Sequence, residues 1–401
     1  MTSALIAGLE RGLAAREVAG LQRIRHTLTT PQGVRVVVDG RELVAFASND
    51  YLGLANHPEV VAAASEGALR WGAGAGASHL ICGHFAPHAA LESELAAFAR
   101  PCAGARALTF SSGYLANLAI LTALAGRGDA IFADRLNHAC LNDGALLSRA
   151  ELVRYPHADM VALRQRLTMS KARRRLIATD AVFSMDGDLA PLPALCALAE
   201  EFDAWLVVDD AHGFGVLGTG ENGGRGSLAH FGLASERIVY MGTLGKAAGV
   251  AGAFVAAHPA VIETLVQTAR SYVFTTAAPP LAAEALRAGL RILRDDTARR
   301  AHLFALITRF RSRLGGGPWT LPDSATPIQP LIVGANAAAV DLAAALWRRG
   351  FWVPAIRPPT VPKGTARLRV TLSAAHARED VDALADTLAE LAPAFGRTCE
   401  R

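Results

Sequence analysis

The chain has 401 residues, 51% hydrophobic and 19% charged, with a formal net charge of +4. That balance supports a large buried core and excludes a disordered chain or a strongly basic nucleic-acid binder. The five cysteines Cys82, Cys102, Cys140, Cys196 and Cys399 are scattered, with no C-x-x-C pair. A disulfide framework and a zinc site are therefore not expected, and a reducing, cytoplasmic setting is. The first residues carry no basic stretch followed by a long apolar run, so neither a secretory signal nor a membrane span is expected. The one basic run, Lys171 to Arg175, precedes an apolar stretch and reads as a solvated helix end or loop, although a patch for an acidic carrier partner stays open.

Residues 4–28 read as a helix rich in Ala, Leu and Arg. Next comes a hairpin, 34–38 and 43–46, around the turn Asp39-Gly40. Pro58 opens a helix over 59–70, and a glycine run over 72–76 follows. From about 106 the pattern alternates, with apolar strands at 107–110, 130–133, 176–183, 205–208, 238–241 and 252–256 and helical patterns between most of them. This is the α/β signature of a mostly parallel sheet. Beyond about 290, helical segments mix with isolated strands at 328–333 and 367–371, which reads as a smaller C-terminal α+β domain. The expected division is an N-terminal helix and hairpin segment over 1–47, a large domain over 48–290 and the small domain over 291–401.

The ends of these strands carry the chemistry. The strand over 238–241 runs into Gly242-Thr243-Leu244-Gly245-Lys246, a small-residue loop with a single lysine. An ammonium taken out of water needs a partner or loses its proton, and a neutral amine attacks an aldehyde. The strand over 205–208 ends in Asp209-Asp210-Ala211-His212. Strand–Asp-x-x-His followed by strand–Thr-x-x-Lys is the layout of a pyridoxal phosphate (PLP) site, where lysine holds the aldehyde and aspartate pairs with the pyridinium nitrogen. In Phe110-Ser111-Ser112-Gly113-Tyr114, Ser112 caps a helix and Gly113 lets an anion approach free N–H groups; an ordinary capped helix would look the same. His138 follows a third strand, placed to stack on a heteroaromatic ring or simply to hold a loop. Ser184 ends a fourth strand, and Asp186 and Asp188 beside it lack the further oxygens of a metal loop, so they read as turn carboxylates.

Two motifs are set aside. Gly213 to Gly218 fits G-x-G-x-x-G, but the glycine-rich sequence after it does not suit the helix that a dinucleotide site requires. Gly242 to Ala247 only faintly resembles a P-loop, with Tyr240 and Ala247 in place of the expected Gly and Ser/Thr. No G-x-S-x-G or H-E-x-x-H is present.

Taken in this order, these residues resemble the α-oxoamine synthase family of fold-type I PLP-dependent enzymes, over about residues 13–376. The segments carrying the resemblance are 46–54, 182–188, 208–213 and 355–362, the last (Ala-Ile-Arg-Pro-Pro-Thr-Val-Pro) being the more selective. The resemblance implies a large domain with a seven-stranded, mostly parallel sheet and a smaller α+β domain. It implies PLP as cofactor and a homodimer, with no metal, nucleic acid or membrane. The likeness is strongest to members that join L-alanine to a pimeloyl thioester, carried on CoA or an acyl-carrier protein. Lys246 would carry the cofactor and move the Cα proton, Asp209 would hold the ring nitrogen and His138 would stack on the ring. His212 and Ser184 would bond the ring oxygen and its surroundings. Gly113, Tyr114 and Thr243 would hold the phosphate, and Thr275 or Thr276 would reach the phosphate of the neighbouring subunit. Arg357 would bind the amino-acid carboxylate, with Asn49, Arg23 and Thr360 on the substrate side. His79 departs from the Gly or Arg common among relatives. The rival readings are a sister synthase using glycine or serine, a nicotinamide-dependent oxidoreductase built on Gly213–Gly218, and a catalytically silent protein of the same fold.

Overall fold

The computed structural model describes residues 3–218, 220 and 223–395. The chain divides into two units. One comprises Met1–Ser48, Met185–Gly187 and Leu303–Arg401, and the other comprises Asn49–Ser184 and Asp188–His302.

The first helix spans Ala4–Val18, shorter than the 4–28 expected from composition. Gly20 turns left-handed at φ 64° and lets Leu21 N–H reach back to Arg16 O at 2.8 Å, which closes the helix. No residue of this helix is buried, so no packed face carries it further. The hairpin forms as expected. Strands β1 (Arg35–Val38) and β2 (Arg41–Ala45) pair antiparallel across Asp39-Gly40. Their inward residues Val36, Val38, Leu43 and Ala45 make a small core.

The larger unit holds a seven-stranded sheet. Its strands are β3 (Arg106–Phe110), β4 (Ala130–Asp134), β5 (Glu151–Tyr155), β6 (Arg175–Asp180), β7 (Ala204–Asp209), β8 (Ile238–Thr243) and β9 (Ala253–Ala257). The order is β3-β9-β8-β7-β6-β4-β5, with β9 antiparallel to both neighbours and the other pairs parallel. Strands β4 and β9 are buried along their whole length, as expected where both faces of a sheet are covered by helices. Strand β5 does not stand out in the sequence. It lies at the sheet edge and pairs with β4, and with Glu151 and Arg154 exposed its residues Glu-Leu-Val-Arg-Tyr lack a continuous apolar run. Parallel pairing aligns the carboxyl ends of β4, β6, β7 and β8 along one edge, the edge at which such sheets bind ligands.

In the other unit, β10 (Ile328–Gly334), β11 (Phe351–Trp352), β12 (Ala355–Ile356) and β13 (Ala366–Thr371) follow. Strands β10, β13 and β12 form one antiparallel sheet, while β11 joins β2 in parallel, Phe351 opposite Val44. Among the described residues no helix is long and apolar enough to cross a membrane. Cys399 lies outside the described residues, and Cys82, Cys102, Cys140 and Cys196 are free thiols. In the basic run, Arg173 and Arg174 both pair with the buried carboxylate of Asp129, a structural use of the charge.

Candidate active site

Three helix and loop connections converge on the carboxyl edge of the seven-stranded sheet. After β3, Ser112 caps the helix Gly113–Leu124, its hydroxyl accepting from Leu115 N–H at 3.3 Å. Gly113 stands at the first helical position beside Thr243, the last residue of β8. A Cβ added at Gly113 would sit 2.9 Å from Thr243 Cγ2, so only glycine leaves this cradle open. Free N–H groups at the start of a 12-residue helix favour an anion there. Tyr114, one residue on, is exposed; its hydroxyl donates to Asp143, which raises its pKa above the ordinary tyrosine value.

Asp209 ends β7 and is 4% exposed. One carboxylate oxygen accepts from Ala211 N–H at 3.0 Å and the other from the Asn117 amide at 2.7 Å. Asn117 lies one helical turn after Gly113, on the same helix face, so the helix that would hold a phosphate also steadies the carboxylate. Asp180, opposite Asp209 on β6, is fully buried, and both desolvation and the charge of Asp209 push its carboxyl well above the usual carboxylate range. Asp210 is pushed up to about 6 by burial; it accepts from Ser227 and Tyr240 and is structural.

Lys246 Nζ lies 2.9 Å from His212 Nε2. The lysine is half-buried, less enclosed than its apolar loop suggests, and the imidazole is the partner that the sequence argument requires. The loop is tight. Gly249 N–H donates to Lys246 O at 2.9 Å, and a Cβ on Gly249 would meet Leu54 backbone carbon at 2.6 Å. Leu54 directly follows the turn Asn49-Asp50-Tyr51-Leu52-Gly53, and Asp50 holds the two together by accepting from Leu54 and Ala55 N–H. On the far side of His212, Nδ1 lies 2.5 Å from the buried hydroxyl of Tyr51.

His138 caps the helix Ala139–Ser148 and is exposed, with its backbone N–H on Asp180 at 2.7 Å. Its Nδ1 faces Cys140 Sγ at 2.9 Å, and burial and the charge of Asp209 push the Cys140 thiol up to about 12, keeping it protonated. Ser184 follows a bridge between Val182 and Leu189. Behind this loop His157 joins Asp134 at 3.1 Å to Asp188 at 2.8 Å, and these hydrogen bonds raise the imidazole pKa to about 10. The other turn carboxylate, Asp186, pairs with Arg367. Asp186 and Asp188 are thus engaged with cations.

Asn49, Gly113, Tyr114, His138, Ser184, Asp209, His212, Thr243, Lys246, Thr275 and Thr276 all belong to one unit. Arg23, Arg357 and Thr360 belong to the other, where Arg357 donates to the carbonyls of Gly20 and Gln22 and Thr360 N–H donates to Arg357 O at 3.1 Å. The sequence reading gave no role to Tyr51, Asn117, Cys140 or His157. Asn117 was findable from its four-residue spacing to Gly113; His157 lies in a loop with no motif. The expected singular feature at His79 is part of a cluster. The ligating atoms of His79, His84 and His88 lie within 4.8 Å of one another. His79 and His84 bond each other at 3.0 Å, and His88 engages Phe85 N–H and Ala278 O, so the trio reads as a hydrogen-bonded group.

The residues fit PLP: an amine for the aldehyde, a buried carboxylate for the ring nitrogen, and a glycine cradle at a helix N-terminus for the phosphate. Among the described residues the next regular helix after Gly213–Gly218 is the five-residue Ser227–Phe231, too short for the helix of a dinucleotide site. The sequence pattern of the family described as aminotransferase class I and II matches residues 41–388. The 8-amino-7-oxononanoate synthase of Aromatoleum aromaticum is 58% identical over 387 residues, covering 96% of this chain and 99% of that one. A solved structure of SPT with its PLP internal aldimine is 28% identical and superposes with a TM-score of 0.91, over 99% of this chain and 100% of that one. The solved 8-amino-7-oxononanoate synthase of Francisella tularensis is 30% identical with a TM-score of 0.75, over 88% of this chain and 98% of that one.

Proposed function

Because the chain belongs to the aminotransferase class I and II family, we propose that it condenses L-alanine with a pimeloyl thioester, with loss of carbon dioxide, to give the biotin precursor 8-amino-7-oxononanoate. The observation that carries this reading is the Lys246–His212 pair at the sheet edge that also bears the Asn117–Asp209 pair, in a chain 58% identical to a synthase of that product. Bound PLP supplies an aldehyde carbon and a cationic ring that delocalises a developing carbanion.

The chain's residues then have distinct tasks. Lys246 Nζ engages the aldehyde and takes the Cα proton of alanine. Asp209, held by Asn117, keeps a proton on the ring nitrogen. His138 covers the ring face, and His212 and Ser184 bond its edge. Gly113, Tyr114 and Thr243 hold the phosphate. Arg357 binds the alanine carboxylate with its planar fork, and Asn49, Arg23 and Thr360 serve the substrates. In the net reaction a bond forms from alanine Cα to the thioester carbonyl carbon and the thiol leaves. The alanine carboxylate departs as carbon dioxide and Cα regains a proton. The protein acts in the cytoplasm as a homodimer, with Thr275 or Thr276 reaching the partner's phosphate. The thioester is carried on CoA or on a carrier protein.

Product formation from alanine, glycine and serine, each against pimeloyl, acetyl and palmitoyl thioesters, tests the substrate assignment. Turnover restricted to alanine with the pimeloyl thioester supports it. Turnover of glycine or serine with another acyl chain, and none with alanine, would place the chain with a sister synthase.

A further inference from the structure

Asn117 does more than hold Asp209. Its amide nitrogen, which donates to Asp209 at 2.7 Å, also lies 3.1 Å from Cys140 Sγ. Cys140 Sγ in turn lies 2.9 Å from His138 Nδ1. These contacts join the carboxylate assigned to the ring nitrogen to the imidazole assigned to the ring face. Asn117 and Cys140 are buried where the helices Gly113–Leu124 and Ala139–Ser148 meet. Gly144, one turn after Cys140 on the same face, keeps that meeting close: a Cβ there would lie 3.0 Å from Leu121 Cδ1 and 3.3 Å from Asn117 O.

The direction of each bond follows from its donor. An amide nitrogen donates and does not accept, so Cys140 Sγ accepts from Asn117. At the other end, His138 Nδ1 accepts from the backbone N–H of Cys140 at 3.3 Å, as the cap of its helix. A ring nitrogen that accepts carries no proton. The hydrogen between Sγ and Nδ1 therefore belongs to the thiol, which burial and the charge of Asp209 keep protonated. A neutral His138 then carries its own ring proton on Nε2.

We propose that Cys140, backed by Asn117, is a positioning residue that sets the plane of the His138 ring over the cofactor by donating its S–H to Nδ1. This rests on the assignment of His138 to the cofactor ring. His138 is exposed, so packing alone leaves its imidazole free to turn about χ2. A stacked imidazole uses its face, and a bond in its plane at Nδ1 fixes the tilt without occupying that face. The thiol that makes this bond is itself buried and held by an amide that also holds Asp209, so the ring face and the ring nitrogen of the cofactor would be served from one rigid helix pair.

The test reads the S–H stretch by infrared difference spectroscopy and the visible circular dichroism of bound PLP, both in the PLP-loaded protein. Subtracting the Cys140→Ala spectrum should isolate an S–H band that is broad and displaced to low frequency, as for a thiol donating to nitrogen. In His138→Ala the band should sharpen and move to higher frequency. Cys140→Ala should alter the visible dichroism of PLP and lower kcat about 2- to 10-fold, the range of one neutral hydrogen bond. Cys140→Ser, whose hydroxyl donates in the same way, should restore both; a role in packing alone would leave Ser no better than Ala. In a His138→Ala background, Cys140→Ala should have almost no further effect on the dichroism. An S–H band at the same frequency with and without His138, or a dichroism that Cys140→Ala leaves unchanged, would overturn the proposal. If Cys140→Ala does not fold, the comparison with His138→Ala still reads the Cys140 thiol in place. Neither spectrum depends on the reaction catalysed, so a failed substrate assignment is seen separately, as absence of product in the unsubstituted enzyme.

Discussion

Asn117 donates to Asp209 at 2.7 Å, tying the first turns of the helix after β3 to the carboxyl end of β7. One helix thus carries both the N-terminal glycine cradle proposed for a phosphate and, a turn later, the amide that orients the carboxylate proposed for the ring nitrogen. Replacing Asn117 with Leu removes this donor from a buried charge, a loss worth about 1–3 kcal/mol. The expected result is weaker PLP binding and a lowered melting temperature, measured by absorbance titration and thermal unfolding. Wild-type affinity in Asn117→Leu would mean that Ala211 N–H alone orients Asp209.

Gly113→Ala tests the phosphate cradle. The added methyl lies 2.9 Å from Thr243 Cγ2, closer than carbon contacts allow, and fills space assigned to the phosphate. PLP affinity should fall by at least about 10-fold, roughly one lost charge-assisted hydrogen bond, with the fold retained. An unaltered dissociation constant with native circular dichroism would move the phosphate elsewhere.

Arg357→Ala is expected to raise KM for alanine strongly, because a charge-assisted bidentate bond is lost, while the PLP absorbance stays normal. If KM for alanine is unchanged, the contacts of Arg357 with Gly20 and Gln22 define a structural role instead.

Stability should depend on pH in opposite senses on the two sides of neutrality. Burial, with the charges of His88 and His84, lowers His79 to about 4, and burial lowers His376 to about 4, against an ordinary 6.5. Protonation of these two favours the unfolded chain, so their contribution is whole above about pH 6.5 and is lost as pH falls toward 4. His157, raised to about 10 by Asp134 and Asp188, contributes fully below about pH 6.5 and loses that contribution as pH climbs through 10. Melting temperatures from pH 4 to 10 should show both limbs. His79→Gln and His376→Gln should flatten the acid limb, and His157→Gln the alkaline one; limbs unmoved by these substitutions contradict the assignment.

Most of the sheet was legible because both of its faces are covered and its buried strands read as apolar runs. Strand β5 was not, because an exposed edge strand carries no such run. The N-terminal helix was read as too long because alanine and leucine favour a helix locally, whereas its end is set by Gly20 and the absence of a packed face. At the site, residues at strand ends could be listed in order: Asp209, His212, Thr243 and Lys246 follow from spacing along one chain segment. Tyr51 and Asn117 act through contacts across 161 and 92 residues of sequence, which spacing does not reveal. Lys246 was expected to be more deeply enclosed; its loop residues are apolar, but the side chain reaches a polar partner at the sheet edge.

The central claim is that Lys246 and PLP join alanine to a pimeloyl thioester. The most direct measurement follows product by mass spectrometry, with thiol and carbon dioxide release, when the PLP-loaded protein meets L-alanine and pimeloyl-CoA or the pimeloyl carrier protein. Stoichiometric thiol, carbon dioxide and 8-amino-7-oxononanoate are expected, all abolished in Lys246→Ala although that variant still binds PLP. A wild-type protein that binds PLP and alanine yet releases neither thiol nor carbon dioxide from either pimeloyl donor, or a Lys246→Ala variant of near-normal activity, would contradict it.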